Sequence, residues 1–429
     1  WVDFYVEGYV RLARARMGAV NFHDGPLPAH AGLNAPVWAL LAGETGHGIP
    51  WHLIEGGVDE GRVLEERRFD IAPGETALTL NTRCFEAGLE SFPAVVAQIE
   101  AGIAPRPQAQ GPRHLHLRAD RPAAMGRIDF DQPAEAVVRL VRALDHGRYW
   151  NPLTTAKIDT GTQVLNVGTA DPAEGAGAPG TVLSASPEGL VVACATGAVR
   201  LNRLSCQAKG LPVCPSMVKV AALPLLTAQE ASQLTAALAA VAPREGALRK
   251  ALAGLAPLRL AAGGTDRTED WHDIALPAHG AAALALAALR ALGGEAADLA
   301  RAAPGLPGYL AAWEPLRVKA GPVGATMAAV TQVLAAPATG WPRDLMTRDS
   351  RLAALQVPPV ALSDGVPVGA GVVTLAPGRM HYDAARLAPE AAQRLAARLA
   401  FIADALAAAA ANTDLADLPG LTPAERETA

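Results

Sequence analysis

The spacing of hydrophobic and polar residues divides the chain into four segments. Residues 1–110 carry short apolar runs separated by Gly and Pro, a pattern typical of mixed α/β structure. Residues 111–123 show no period and are rich in Pro, Arg and His, so they predict a linker. Residues 124–215 and 216–429 each have a periodic pattern of their own. We therefore predict three domains, two of them joined by that linker.

The segment of residues 124–215 begins with a helical repeat and continues as short strands. Val138, Val141 and Leu144 recur at helical spacing and predict a helix. Short apolar runs divided by turn residues follow, and such runs are typical of a small, partly open OB-like β-barrel. The predicted strands are Thr181–Ser184, Leu190–Cys194 and Val199–Leu204.

Helical repeats rich in Ala and Leu dominate residues 216–429. Thr227 followed by Glu230 predicts a helix N-terminus with a capping box, in which each side chain bonds the backbone N–H of the other residue. A last long helix is predicted after Pro389. Its apolar stripe consists of Leu395, Leu399, Ile402 and Leu406. These patterns predict a mostly helical domain that is the remnant of an α/β domain.

Composition narrows the expected partners and compartment. Half of the residues are hydrophobic, 18% are charged, and the formal net charge is −5. No strongly basic stretch is present, so nucleic acid is not the expected partner. Neither a signal-peptide pattern nor an apolar run long enough to span a bilayer is found. The four cysteines form no C-x-x-C pair. We expect a cytoplasmic protein with reduced thiols and no membrane partner.

Three residues suggest chemistry, namely Asn21, His23 and Asp59. On an extended segment Asn21 and His23 project to the same side, and the turn of residues 25–28 follows them at once. An amide can donate to an oxyanion, an imidazole can relay a proton, and a carboxylate can orient that imidazole. The spacing alone also fits a turn asparagine, a structural histidine and an aspartate in a turn.

Gly18 through Phe92 resembles the C-terminal half of the catalytic domain of the methionyl-tRNA formyltransferase family. The shared motifs are Asn21-x-His23, Leu27-Pro28, Gly32, Thr45-Gly46, Asp59-x-Gly61 and Pro73-Gly74-Glu75-Thr76. The resemblance implies a fragment of a Rossmann-like formyltransferase domain. It makes Asn21, His23 and Asp59 the catalytic trio and 10-formyltetrahydrofolate the donor substrate.

The same resemblance leads us to expect donor-binding residues and no metal. The expected donor-binding residues are Gly25, Leu27, Pro28, Gly57 and Val58. The family's N-terminal half of the catalytic domain has no counterpart in the sequence. We therefore expect a fragment that binds its folate donor poorly and can be inactive by itself.

Residues 124–215 resemble the C-terminal domain of the same family. The similar stretches are Ile128-Asp129-Phe130 to Trp150-Asn151-Pro152, and Gly180-Thr181-Val182-Leu183 to Lys209-Gly210. In tRNA-modifying members this domain is a barrel that helps to hold the acceptor. The sequence has no obvious basic face here, which argues against tRNA as the acceptor.

One variant motif points to a particular acceptor. Asn-Phe-His-Asp-Gly-Pro-Leu-Pro at 21–28, together with Trp51-His52, is more similar to formylation domains at the start of nonribosomal peptide synthetases. This resemblance implies that the enzyme formylates the amine of an aminoacyl group on a carrier protein, with downstream synthetase modules as partners.

The last segment resembles the C-terminal half of a peptide-synthetase condensation domain. The similar stretches are Trp313-Glu314-Pro315-Leu316-Arg317-Val318, His381-Tyr382-Asp383 and Leu415-Ala416-Asp417-Leu418-Pro419. The His-His-x-x-x-Asp-Gly motif of such domains is absent from the sequence. The segment is therefore expected to be a docking platform.

The sequence is compatible with two other functions, and it contains two further motifs that do not predict sites. The same chemistry could formylate initiator methionyl-tRNA or a sugar-nucleotide amine, and the chain could be a non-catalytic docking segment of a synthetase. Gly175-x-Gly177-x-x-Gly180 matches a dinucleotide fingerprint but precedes a strand-like run, so it predicts a loop. His114-x-His116 has no third ligand at useful spacing, so we predict no metal site in the linker.

Overall fold

The computed structural model describes residues 18–207, 210–261, 263, 269–353, 355–369 and 371–428. Predictions for residues 1–17, and for Lys209 of the barrel motif, lie outside the described residues. The chain forms two compact units, Trp1–Pro243 and Arg244–Ala429. Within the described residues, no helix is both long enough and apolar enough to cross a bilayer.

The first part of the first unit is a small antiparallel sheet covered by one long helix. In chain order its elements are β1 (Val20–Phe22), β2 (His30–Gly32), α1 (Ala35–Ala42), β3 (Gly46–Leu53), β4 (Val63–Asp70) and α2 (Ala77–Glu100). The sheet has the order β1-β3-β4. Its register places Asn21 opposite His52.

Helix α2 begins at a reciprocal cap and buries one face on the sheet. Thr76 Oγ1 accepts a hydrogen bond from Thr79 N (3.3 Å), and Thr79 Oγ1 accepts one from Thr76 N (2.9 Å). The buried positions Leu80, Cys84, Gly88, Ser91 and Val95 recur every three or four residues. A side chain at Gly88 would place Cβ 2.5 Å from the ring of Phe22, so the glycine permits β1 and α2 to pack closely.

The segment predicted as a linker contains a strand. β5 (His114–His116) pairs in parallel with β2 in the register His30↔His114 and Gly32↔His116. A three-residue strand carries too little pattern to be recognised in a sequence rich in Pro and Arg. The segment is consequently paired with β2, which lies between His23 and Asp59 in the chain.

The next part of the first unit consists of one helix and two antiparallel sheets. Its elements are α3 (Ala134–Ala143), β6 (Ala156–Asp159), β7 (Val164–Val167), β8 (Thr169–Ala173), β9 (Val182–Ser186), β10 (Gly189–Ala193), β11 (Ala198–Asn202), β12 (Leu204–Cys206) and β13 (Pro212–Val213). The sheets have the orders β8-β11-β10-β9 and β13-β12-β7-β6. All three predicted strands are confirmed to within two residues, and the glycine-rich stretch of residues 175–180 is a loop, as predicted. The description as an OB-like barrel remains a prediction.

A further helix completes this unit. Helix α4 (Ala228–Val241) has Thr227 as its N-cap, as predicted, with Thr227 Oγ1 accepting from Glu230 N at 3.2 Å. The Glu230 carboxylate bonds the Arg127 guanidinium instead of closing the predicted capping box. Arg127 belongs to the segment just before the two sheets, so this bond connects α4 to that part of the unit. The compact unit therefore extends past residue 215, to Pro243.

The second unit is built around a six-stranded mixed sheet. Its elements are α5 (Glu245–Ala253), β14 (Trp271–Ala275), α6 (Ala281–Leu292), β15 (Ala296–Ala302), β16 (Leu310–Ala311), β17 (Trp313–Lys319), α7 (Val323–Ala335), β18 (Trp341–Pro342), α8 (Leu345–Arg348), β19 (Val360–Leu362), β20 (Val373–Ala376), β21 (Arg379–Asp383), α9 (Pro389–Ala408) and α10 (Pro423–Thr428). The sheet order is β14-β21-β20-β19-β15-β17.

The prediction of a mostly helical second unit missed this sheet. Its central strands β19 and β20 are buried at every position, so they show no alternation of polar and apolar residues. A short apolar run of this kind cannot be told from a buried helix by its period. Helix α9 is confirmed as predicted, with Leu395, Leu399, Ile402 and Leu406 buried.

Candidate active site

Asn21 enters the site from β1 through its pairing with β3. Because Asn21 lies directly opposite His52 in the register, its side-chain Nδ2 comes within 3.1 Å of His52 Nε2. The amide is partly buried. Asn21 is the middle residue of β1, and its second side-chain N–H can serve as a donor.

His52 was not among the predicted catalytic residues, although it belongs to the Trp51-His52 pair noted above. Its Nδ1 lies 2.8 Å from Leu53 O, and a carbonyl oxygen can only accept, so Nδ1 carries a hydrogen. Its Nε2 is 3.4 Å from Asp59 Oδ1. When the ring is neutral, Nε2 accepts from Asn21; when the ring is protonated, Nε2 donates to Asp59.

His23 follows β1 and is fixed by its backbone and its ring. Its backbone N donates to Pro50 O at 3.1 Å, and its ring Nε2 donates to His30 O at 2.5 Å. The other ring nitrogen, Nδ1, lies 3.6 Å from Asp59 Oδ2. The side chain is only 5% exposed, so a proton taken up at Nδ1 would be held next to a carboxylate in a poorly solvated place.

Asp59 lies at the centre of the cluster. Its Oδ2 accepts a hydrogen bond from Gly32 N at 2.8 Å, while its two oxygens face the rings of His23 and His52. Burial raises the pKa of this carboxyl. The hydrogen bond from His52, the charge of His23 and the Gly32 N–H outweigh burial and lower that pKa below its ordinary value. The carboxylate is therefore ionised at neutral pH.

The structure thus places the three predicted catalytic residues in one cluster and adds His52 as a fourth member. The cluster combines an amide donor, two imidazoles and an ionised carboxylate. These groups can stabilise an oxyanion, accept a proton and hold the resulting imidazolium. That combination suits acyl-type transfer to a nucleophile.

The predicted donor-binding residues fall into two different environments. Leu27 and Pro28 line a cavity of about 620 Å³ together with Glu44 and His47, and this lining does not include Gly57 or Val58. Those two residues lie on the exposed loop that precedes Asp59.

Gly25 is enclosed by packing. A Cβ at this position would lie 2.3 Å from Cβ of Ala35, so only glycine fits beside α1. Close packing against Ala35 explains why this position is a glycine, and no bound ligand is needed to explain it. Donor binding by these five residues remains a prediction.

The histidine of the supposed linker belongs to an aromatic stack. The ring of His116 stacks on Trp38 (centroids 5.0 Å apart) and on His30 (5.3 Å), and its Nε2 lies 3.0 Å from His30 Nδ1. Burial, followed by the charge of His30, lowers the pKa of His116 to about 4. No group of three or more His, Cys, Asp or Glu side chains suited to a metal occurs in the described part of the chain.

The arrangement of the cluster suits acyl-type transfer, and sequence comparisons identify the family. Residues 10–96 match the family model described as "Formyl transferase", and residues 122–211 match "Formyl transferase, C-terminal domain". The chain belongs to the formyltransferase family.

Two curated relatives and one solved structure illustrate the similarity. The chain is 36% identical over 192 residues to the methionyl-tRNA formyltransferase of Pseudomonas syringae pv. tomato, covering 44% of this chain and 58% of that protein. It is 32% identical over 230 residues to the methionyl-tRNA formyltransferase of Burkholderia mallei, covering 53% of this chain and 67% of that protein.

The solved structure of HypX from Aquifex aeolicus in complex with tetrahydrofolic acid is 23% identical. The match covers 47% of this chain and 34% of that chain, with a TM-score of 0.38. Among the first three curated relatives, the chain spans 58% to 64% of their length.

Proposed function

We propose that the first unit catalyses formyl transfer from 10-formyltetrahydrofolate to a primary amine. The observation that carries the proposal is the convergence of His23 and His52 on the ionised carboxylate of Asp59, with Asn21 beside His52, in a member of the formyltransferase family. A purely structural histidine cluster does not need a carboxylate kept ionised against burial.

The proposed reaction assigns tasks to Asn21, His23 and Asp59. The acceptor nitrogen attacks the formyl carbon, and Asn21 donates a hydrogen bond to the oxyanion of the tetrahedral intermediate. His23 takes the proton from the attacking amine at Nδ1, and Asp59 stabilises the imidazolium. His23 then returns the proton to N10 of the folate as the bond from the formyl carbon to N10 breaks. The amine has lost one proton and gained the formyl group, and tetrahydrofolate leaves with that proton.

We further propose that the acceptor is an aminoacyl group tethered to a carrier protein. Residues 122–211 contain equal numbers of acidic and basic residues, so they present no excess of cations for a nucleic acid. Two of the basic residues are internal. Lys157 is fully buried and donates to Met125 O at 2.8 Å, and Arg127 is bound to Glu230. The second unit would serve as a docking platform toward synthetase modules.

A second candidate acceptor is initiator methionyl-tRNA. It is favoured by the relatives described above, since they are methionyl-tRNA formyltransferases with 32% to 36% identity. The catalytic chemistry is the same for both acceptors. Only the surface that holds the acceptor differs.

A competition assay separates these acceptors. The 429-residue chain, and the protein encoded by its complete reading frame, would be incubated with 10-formyltetrahydrofolate, an aminoacyl-loaded carrier protein and methionyl-tRNA. We expect formylation of the carrier-bound amine, lost in His23→Ala and retained in His279→Ala, a matched change in the second unit. Formylation of tRNA alone would refute the carrier assignment, and no formylation of either acceptor would refute formyl transfer to these two classes of amine.

A further inference from the structure

The backbone of Asp59 is held in a conformation that few residues adopt. Its φ is 52°, in the left-handed region, where a residue with a Cβ is strained. Such a conformation persists only where the surrounding structure enforces it. Since the carboxylate reaches Gly32, His23 and His52 from this backbone position, the same constraint determines where the carboxylate lies.

One side chain from outside the catalytic motifs bonds both ends of this strained turn. Gln108 Nε2 donates to Asp59 O at 2.7 Å and to Gly61 O at 2.9 Å. A glutamine amide has two N–H donors, so both are used here, one on each side of Glu60. The bonds are part-buried, which makes them less exposed to competition from water than surface bonds.

Gln108 is itself attached to a rigid part of the sheet. Two residues earlier, Arg106 exchanges both backbone hydrogen bonds with Val63 at the start of β4 (2.7 and 2.8 Å). A few residues later, Arg113 Nη2 donates to Val58 O at 2.6 Å. The chain that leaves α2 therefore contacts three backbone carbonyls in and beside the Asp59 turn, those of Val58, Asp59 and Gly61.

We propose that Gln108 is a positioning residue for formyl transfer, which fixes the Asp59 turn so that its carboxylate faces the imidazoles of His23 and His52. This inference rests on the proposed function. Gln108 acts through Asp59 and touches none of the reacting atoms. The competing explanation is a structural tie that only anchors the chain after α2, and a test must separate the two.

The first test measures Asp59 directly and needs no activity. In the full chain, the pKa of the Asp59 carboxyl would be followed by carbon NMR in wild type, Gln108→Met and Gln98→Met, with Asp59→Asn identifying the resonance. Gln98 is a matched control because its Nε2 makes one bond, to Glu65 at 2.7 Å, away from the turn. Methionine keeps the length of glutamine and removes both donors.

We expect the pKa of Asp59 to rise in Gln108→Met and to stay at the wild-type value in Gln98→Met. The rise follows because a released turn loses the bonds from Gly32 and His52 that lower this pKa. An unchanged pKa in Gln108→Met would overturn the proposal. Gln108→Asn, which keeps the amide on a shorter arm, should shift the pKa by a smaller amount and covers the case in which the methionine variant does not fold.

The second test uses the proposed reaction. Displacing a catalytic group by about 1 Å can cost about a hundredfold in rate, so kcat should fall by up to about that factor in Gln108→Met while KM for the amine changes little. The acid limb of the pH–rate profile should move to higher pH. Wild-type kcat with an unshifted profile would refute a positioning role. If wild type transfers no formyl group at all, the proposed function fails. The NMR result still decides whether Gln108 determines the position of the Asp59 carboxylate.

Discussion

At the scale of single residues, the pKa of the Asp59 carboxyl is set by effects of opposite sign. Burial raises its pKa, and the His52 bond, the His23 charge and the Gly32 N–H bring it below the ordinary value. A carboxyl whose pKa is lower in the folded state contributes stability above the unfolded-state pKa, and this contribution is lost as the pH falls through the folded-state pKa.

The lowered pKa of Asp59 leads to a prediction for the stability of Asp59→Asn. The wild type should be more stable than the variant at pH 7, and the difference should shrink as the pH falls below about 4, where unfolded aspartate becomes protonated. Urea unfolding of both proteins between pH 7 and pH 3 measures it. A difference that grows on acidification would contradict the assignment of Asp59.

The cysteines offer a second prediction at this scale. Burial raises the pKa of the Cys84 thiol and raises that of Cys194 to about 11, whereas a hydrogen bond from Ser216 lowers the pKa of exposed Cys214. Since the thiolate is the reactive form, iodoacetamide should label Cys214 first and reach Cys84 and Cys194 only on unfolding. Peptide mass spectrometry over time checks the order. Rapid native labelling of Cys84 would contradict its burial.

The residues predicted from the sequence and those identified only from the structure differ in the kind of contact that they make. Asn21, His23 and Asp59 could be predicted because their types and spacing match a family motif. His52 reaches the site through strand register, and Gln108 acts on backbone carbonyls. Neither kind of contact leaves a short motif in the sequence, so both residues required coordinates.

At the scale of elements, Gly32 is the position where β2 passes closest to β5. Its φ is 91°, and a Cβ there would lie 2.1 Å from His116 O. We expect Gly32→Ala to lower the free energy of unfolding by about 2 kcal/mol or more, from backbone strain and from loss of the β2–β5 pairing. Chemical denaturation measures this loss. Gly74→Ala, where no atom lies within 4 Å of the added Cβ, should stay within about 1 kcal/mol of wild type, and equal losses in both would contradict the close approach.

Helices and strands with a clear repeat of apolar and polar residues could be predicted from the sequence, and those without such a repeat could not. The strands of residues 181–204 and helix α9 have sustained patterns, and both were predicted correctly. β5 is too short to show a pattern, and the buried strands of the second unit show no alternation. Burial on both faces removes the signal that sequence analysis relies on.

At the scale of the whole molecule, each unit has its own hydrophobic core. Ile158 and Leu165 belong to the core of the first unit, and Leu299 and Ile402 belong to that of the second. All four side chains are fully buried. The two matching family models cover residues 10–96 and 122–211, so neither includes the second unit.

These two cores predict separable effects of core mutations. Ile158→Ala should destabilise the first unit by about 2–5 kcal/mol, and Leu299→Ala should do the same to the second, because each leaves a cavity in one core only. Hydrogen exchange read out by peptides from each unit distinguishes them. Loss of protection in both units from either single change would show that the units unfold together.

The chain after α2 also has a consequence for recombining domains between family members. A chimera that joined a foreign C-terminal domain at residue 110 would keep Gln108 but replace Arg113 and His116, the contacts to Val58 and to the β2 strand. Such a graft would exchange part of the structure around the Asp59 turn along with the C-terminal domain. A crossover placed after His116 would leave these contacts intact, so the first exchangeable module of the chain ends at β5 and not at the end of α2.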